Sequence, residues 1–456
     1  MEWGGPILTS LDVVVREAAL FAAAGFLVLG AGDLLVDGAW LVLRFRRGRK
    51  PLPRVADLPA PRRSGWLAVF IPAWDESAVI GDMLRNALRV WGSGTYRLYV
   101  GCYPNDPATI AAVAAVDDAR VRMVVGPAAG PTTKADCLNR LWEALVADEG
   151  AGEAATAIIL HDAEDLVPPE ELRVFATVIE DFDFVQLPVR PLIDRDARWV
   201  GGHYADEFAE AHGKEMPVRQ WLGAGLPSAG VGCAFSRAIL GRIADAAPTG
   251  LPFDAASLTE DYELGLKVRE AGGTSLFLQI LGGDGRVVAT QEYFPGTVAA
   301  AVAQKARWMT GIALAGWDRM GWNGGLAERW MRLRDRQSLL AAALLFAGYF
   351  SAGLGLLLAP LHWITAPAAP LPPLLTVLLQ ANFVLLAWRT TMRAAFACAA
   401  YGWREAVRSV PRAIVGNAIA MVAAGAALLR YRRLRRTGQT IWGKTAHMFP
   451  TTAAAE

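Results

Sequence analysis

Five consecutive residues, His161-Asp162-Ala163-Glu164-Asp165, bring three carboxylates directly after the apolar run Ala157-Ile158-Ile159-Leu160. A short apolar run bracketed by polar residues reads as a buried strand. The acids therefore crowd a strand's carboxyl end, the edge at which open α/β sheets bind ligands. Like charges this close repel one another unless a cation or strong hydrogen-bond donors compensate them. A hard divalent ion is the natural compensator: Mg²⁺ takes one or two protein carboxylates and leaves its other positions to phosphate oxygens and water. A solvated acidic turn ahead of a helix opened by Pro168-Pro169-Glu170-Glu171 is the alternative use of the same residues.

Other stretches could join that chemistry. In Thr259-Glu260-Asp261, a carboxylate at a helix start is held rigidly and stays ionised, so Asp261 could take a hydroxyl proton. Helix capping by Thr259, with dipole stabilisation by Glu260 and Asp261, is its competing reading. Gln304, Arg307 and Trp308 lie at helical spacing on one face. That face offers an amide, a guanidinium fork suited to diphosphate and an indole plane for a sugar. Lys134, early in a helix after Gly130-Pro131-Thr132-Thr133, could reach a phosphate or extend into solvent. Asp75 and Glu76 follow the first strand, and Asp106 follows the second. They could accept hydrogen bonds from a base or ribose, or serve as ordinary caps and turns.

The elements that must position these residues alternate between strand and helix from Ser64 to about Gly325, the pattern of a largely parallel sheet. Strands are expected at Trp66 to Ile71, Arg97 to Cys102, Ala157 to Leu160 and Phe184 to Val189. Helices are expected from near Ser77, from Lys134 to Val146, from Thr259 through Lys267 and from Thr297 to Ala315. Ser228-Ala229-Gly230-Val231-Gly232-Cys233 reads as a small-residue loop and strand that permits close backbone approach.

The 456 residues are 54% hydrophobic with a formal net charge of +1, so nucleic acid has no global electrostatic claim on the chain. Cys102, Cys137, Cys233 and Cys398 are far apart, lack metal-ligand spacing and read as reduced. Ala18 to Leu43 is long and apolar, interrupted by Asp33 and Asp37, and ends in a basic cluster; it lacks a signal peptide's basic leading region and suits a spanning helix. Leu339 to Ile364 and Leu371 to Trp388, with arginines at both outer ends, predict a transmembrane hairpin. Ala413 to Leu429 is shorter, and arginines lie on both sides of it. An interfacial or re-entrant segment is expected there. The resulting map is a transmembrane helix and basic flank over 1–50, a linker over 51–64, a soluble domain over 65–325, a hairpin over 326–400, amphipathic helices over 401–436 and a tail over 437–456.

In their order, Asp75-Glu76, Asp162-Ala163-Glu164-Asp165, Thr259-Glu260-Asp261 and Gln304-x-x-Arg307-Trp308 resemble the signature of the membrane-integrated family 2 glycosyltransferases. That group includes cellulose, chitin, hyaluronan and poly-N-acetylglucosamine synthases. More narrowly, HDAED, TEDYELG, EYFP and QKARWMTGIALAGW resemble a bacterial inner-membrane branch associated with bacteriophage adsorption. Members of that branch often carry a further C-terminal regulatory domain, which is not expected here. The resemblance implies a glycosyltransferase-A α/β domain with a mainly parallel sheet, plus an α-helical transmembrane region. It implies an inverting transfer from a UDP-sugar to a polysaccharide or lipid-linked acceptor, with an outer-membrane or periplasmic export partner. Asp75, Glu76 and Asp106 would lie near uridine, with Lys134 and Arg307 on the diphosphate. Mg²⁺ or Mn²⁺ would sit on Asp162 and either Glu164 or Asp165, the departure from the usual DxD leaving the second ligand open. Asp261, beside Glu260, would be the base, and Gln304 and Trp308 would meet the acceptor. Cellulose synthases also place a gating loop after their membrane helices, which loosely implies a lid role for Trp442, Lys444 and Thr445. The implied location is the bacterial inner membrane, in several passes, with the catalytic domain cytoplasmic. A lipid-linked sugar synthase and a catalytically silent membrane receptor or channel subunit are the alternatives.

Overall fold

A computed structural model describes residues 4–48, 50–62, 65–150, 152–364, 369–438 and 448–450. Its centre is a seven-stranded sheet. The strands are β1 (Leu67–Pro72), β2 (Tyr96–Cys102), β3 (Val121–Val125), β4 (Ala157–Leu160), β5 (Phe184–Gln186), β7 (Cys233–Ser236) and β8 (Ser275–Phe277), in the order β3-β2-β1-β4-β7-β5-β8. Pairing is parallel except where β7 runs antiparallel to β4 and β5. β6 (Val189–Leu192) and β9 (Thr290–Tyr293) form a separate parallel pair.

The apolar runs that mark β1 and β4 are continuous because both faces of these strands are covered. In β1, Val69 and Ile71 face one buried layer, formed with Ile80, Met83, Leu84 and Phe175. Ala68 and Phe70 face the other, formed with Leu138, Leu141, Ile239 and Leu264. The expected single strand Phe184 to Val189 is two strands, β5 and β6, broken at Leu187-Pro188. Proline cannot donate to a ladder, and the break hands the chain from the main sheet to the small one. Pro51 to Ser64, expected as a linker, is fastened to the domain: Val55 is fully buried, and its N–H donates to the Leu281 carbonyl at 2.9 Å.

Four helices among the described residues are long and apolar enough to cross a membrane: Ile7–Arg47, Ser338–Ile364, Pro373–Tyr401 and Trp403–Thr437. The first three pack together, with Gly25 against Leu344 and Gly30 against Leu385, the close approach that small residues permit in apolar bundles. Asp33 and Asp37 mark where the first helix leaves that bundle. Asp33 pairs with Arg334 at 2.9 Å and Arg389 at 3.4 Å. Asp37 pairs with Lys214 at 2.5 Å and accepts from Trp388 Nε1 at 2.7 Å.

The stretch expected as an amphipathic segment followed by a short helix is one unbroken helix, Trp403–Thr437. Both its ends meet the α/β domain. Arg412, fully buried, donates to the Gly202 carbonyl at 2.9 Å, and the Tyr431 hydroxyl donates to Asp318 at 2.6 Å. Between those points Thr310 Oγ1 reaches the Ala427 carbonyl at 3.4 Å. The helix therefore lies along the segment that begins with Gln304, Arg307 and Trp308.

Candidate active site

The acidic turn after β4 divides its carboxylates. Asp165 turns inward: its Oδ2 meets His161 Nδ1 at 2.6 Å and accepts from the Asp162 N–H at 3.1 Å, and it is fully buried. His161 Nε2 meets Glu171 Oε2 at 3.0 Å on its other side. Burial opposes charge on His161, but Glu171 and Asp165 outweigh it and push its pKa up to about 10. His161 is thus an imidazolium clamped between two acids, and it fixes the turn from beneath. Asp162 and Glu164 point the other way, into a cleft at the carboxyl ends of β1 and β4. This geometry turns Asp165 away from the cleft and leaves Glu164 as the carboxylate beside Asp162 in it.

The cleft gathers Glu76, Lys134, Asp162, Glu164, Asp261, Gln304, Arg307 and Trp308, residues separated by up to 232 positions in sequence. Lys134 opens the helix Lys134–Glu149, which Thr133 caps through the Asp136 N–H, and its Nζ meets Asp162 Oδ1 at 2.5 Å. Burial alone would neutralise this amine, but Asp162, Glu260 and Asp261 raise its pKa and keep it charged.

Asp261 lies in the first turn of Glu260–Glu270. Of the capping alternative, the Thr259 part fails: Thr259 makes no side-chain cap bond, and its Oγ1 is buried without a hydrogen-bond partner. Asp261 Oδ1 instead accepts from the Tyr262 N–H at 2.7 Å, which fixes the carboxylate while its other oxygen faces Gly230. Gly230 has φ +78°, and a Cβ there would stand 2.5 Å from Asp261 Oδ2. Its neighbour Glu260 is buried, and burial and the Asp261 charge push it up to about 7 while Lys134 opposes the rise. Glu260 stands behind the cleft wall and Asp261 at its surface.

Gln304, Arg307 and Trp308 do share a helix face, as their spacing predicts, on Val298–Trp308. Thr297 caps this helix, and Lys305 on another face anchors it to Glu207 at 2.7 Å. Gln304 Oε1 is buried with no partner, an acceptor held ready at the cleft. Trp308 stands edge-on to Tyr204, with centroids 5.9 Å apart. The helix then widens into π turns over Met309–Ala315, a feature common near functional sites.

Two expected nucleotide contacts, Asp75 and Asp106, are not among the residues lining the cleft. Asp106 spends its oxygens on the Thr109 N–H at 3.2 Å and the Asp75 N–H at 2.6 Å, so it buttresses the turn that holds Asp75 at φ +54°. Trp442, Lys444 and Thr445 lie outside the described residues. Sequence reasoning missed Glu292 and Phe294 as cleft residues. Both lie in the EYFP stretch, whose likeness to the phage-adsorption branch carried no role for either residue. Among the described residues no three His, Cys, Asp or Glu side chains converge as a ready-made metal centre.

A family model described as "Glycosyltransferase like family 2" matches residues 61–311. The chain is 34% identical to "Bacteriophage adsorption protein B" of Escherichia coli K12, and equally to "Bacteriophage N4 adsorption protein B" of Escherichia coli O157:H7. Each comparison takes in 99% of this chain and 64% of the relative, so the chain spans less than two thirds of those proteins. Among solved structures, the mannosyltransferase PcManGT from Pyrobaculum calidifontis, solved with GDP-Man and Mn²⁺, is similar at TM-score 0.54 and 17% identity. That similarity covers 92% of this chain and 99% of the mannosyltransferase, and it establishes a shared fold. The resemblance carried by the four motifs is borne out.

Proposed function

Because the chain belongs to glycosyltransferase-like family 2, we propose that it moves a hexose or N-acetylhexosamine from a UDP-sugar to a growing polysaccharide, with inversion. The observation that carries this reading is the convergence of Lys134, Asp162, Glu164, Asp261, Gln304, Arg307 and Trp308 on one cleft.

Lys134 and Arg307 bind the diphosphate, Glu76 lies toward the nucleoside, and Asp75 acts through its turn. Asp162 and Glu164 fit a hard divalent ion: both are oxygen donors at one strand end, and Lys134 already marks the position as one that binds opposite charges. Mg²⁺ or Mn²⁺ held there supplies Lewis-acid stabilisation of the departing nucleoside diphosphate. The similar mannosyltransferase was solved with GDP-Man and Mn²⁺, which supports a nucleotide-sugar and divalent-ion reading here. Asp261 accepts the proton of the acceptor hydroxyl as that oxygen attacks the anomeric carbon. Glu260, beside it, holds its own proton up to about pH 7 and leaves Asp261 as the single exposed base. One base fits inversion better than the paired carboxylates of retaining hydrolysis. Gln304 and Trp308 receive the acceptor sugar, the amide by hydrogen bonding and the indole by stacking.

The proposed setting is the bacterial inner membrane, with the α/β domain cytoplasmic and an export partner beyond the membrane. Ile7–Arg47, Ser338–Ile364 and Pro373–Tyr401 span, while Trp403–Thr437 lies at the interface because both its ends rest on the α/β domain. The test is release of UDP and elongation of product from radiolabelled UDP-sugars by the purified chain with Mn²⁺. Binding of UDP without any transfer, to any acceptor in a membrane extract, would favour the silent-receptor alternative.

A further inference from the structure

The helix Val200–Glu210 carries Asp206, Glu207 and Glu210 within little more than one turn. Asp206 is fully buried and faces Arg393 at 3.5 Å and Arg412 at 3.4 Å. Glu210 pairs with Arg389 at 2.7 Å and with Lys214 at 2.6 Å, and Lys214 in turn meets Asp37 at 2.5 Å. These partners belong to Pro373–Tyr401, Trp403–Thr437 and Ile7–Arg47, so three of the long apolar helices hold this shorter one by charge. Glu207 carries the connection onward to the cleft. Both its oxygens accept from Lys305 Nζ, at 2.8 and 2.7 Å. Lys305 lies between Gln304 and Arg307 on Val298–Trp308 and is buried. Tyr204, one turn before Glu207 and fully buried, completes the junction. Its ring lies 5.3 Å from Lys305 Nζ, stacks on Phe294 at 4.9 Å and meets Trp308 edge-on.

We propose that Glu207 is a positioning residue: through Lys305 it sets where Gln304, Arg307 and Trp308 stand in the cleft, and it hangs that helix face on the membrane helices. The proposal rests on the transferase reading of the cleft. An isolated exposed ion pair fixes little, but this one has a buried member and belongs to a network of charges. Lys134, Asp162 and Glu164 are held by other elements, the helix Lys134–Glu149 and the turn after β4. Loss of the Glu207 charge would leave the Lys305 ammonium buried without its partner, which draws that side chain, and its helix with it, toward water. Gln304, Arg307 and Trp308 would then shift as a set, and a misplacement of about 1 Å costs up to roughly 10²-fold in rate.

The experiment compares Glu207→Gln, Lys305→Gln and the double variant, each as the full chain in detergent with Mn²⁺. Radiolabelled UDP-sugars with a membrane extract as acceptor report transfer, normalised to the molecules that bind UDP by calorimetry, and hydrogen exchange reports the backbone. Each single variant should lose about tenfold or more in transfer. The double variant should lose no more than the worse single, because the two residues act as one unit. UDP affinity should fall by no more than it does in Arg307→Ala, the diphosphate group on this helix. Exchange should quicken across Val298–Trp308 and stay unchanged across Lys134–Glu149. Unchanged transfer, losses that multiply in the double variant, a deeper collapse of UDP affinity or unaltered exchange across Val298–Trp308 overturns the proposal. Failure of the unaltered chain to bind UDP or transfer sugar defeats the transferase reading instead, and the exchange comparison still decides whether Glu207 holds the helix.

Discussion

Replacing Asp261 by Asn removes one charge while keeping the shape of the side chain. The amide oxygen can still accept from the Tyr262 N–H, and the group still fits against Gly230, which has no Cβ to spare. Folding should therefore be nearly unaffected, and any loss should belong to chemistry. Removing a positioned general base costs about 10²–10⁴ in rate. At about 1.4 kcal/mol per decade, that is roughly 3–5 kcal/mol of transition-state stabilisation. The donor should bind as before, because Asp261 acts on the acceptor. Glu260 supplies a second signature. Burial and the Asp261 charge together push it up to about 7, so the neutralised neighbour should let it ionise at lower pH. The assay is sugar transfer as a function of pH, with UDP affinity measured by calorimetry on the same preparation. Turnover within a few-fold of the unaltered chain would refute the base assignment. A parallel collapse of UDP affinity would instead move Asp261 to the donor side.

Glu164→Ala should abolish metal-dependent UDP binding yet leave thermal stability nearly unchanged, whereas Asp165→Asn should cost stability, of the roughly 3–5 kcal/mol order seen when a buried ion pair loses one partner; thermal unfolding and calorimetry on both variants read this, and the opposite pattern would make Asp165 the ligand. Gly230→Ala should lose activity and about 1–3 kcal/mol of stability, because φ is +78° and its Cβ would meet Asp261; a fully active, equally stable variant would remove that constraint. Burial holds His203 down to about 4. Its neutral form favours the folded state, so stability present above the ordinary histidine pKa of about 6.5 should be lost as pH falls through 4. The slope between those values should flatten in His203→Gln, and an unchanged slope would contradict it. Single cysteines introduced at the chain's two ends should label from opposite sides of the membrane, the C-terminal one from the cytoplasm; labelling of both from one side would require a different number of spans.

Strands β1, β2 and β4 were legible to within a residue because burial on both faces leaves a continuous apolar run. The Gln304 helix face was legible because a helix converts spacing into direction. The choice between Glu164 and Asp165 was not. The two side chains leave an irregular turn, and Asp165 is drawn inward by His161, which Glu171, ten residues on, holds from its other side. Asp33 and Asp37 were equally opaque, since the arginines and lysine that pair with them lie between 177 and 356 positions away. The capping role open to Thr259 was excluded only by its packing against Gly311, a contact between two separate helices. Local pattern thus revealed which residue types were present and roughly on which elements, while non-local pairing decided which of them face the cleft.

The central claim is that the cleft between Lys134, Asp162, Asp261 and Arg307 turns over a nucleotide-sugar. Its most direct test is nucleoside-diphosphate release by the purified full chain across a panel of UDP- and GDP-sugars, with Mn²⁺ and with chelator. Release from a UDP-sugar that needs the metal and disappears in Asp162→Ala is expected. Failure to bind or cleave every sugar nucleotide in the panel, with the protein folded and the metal present, would contradict it.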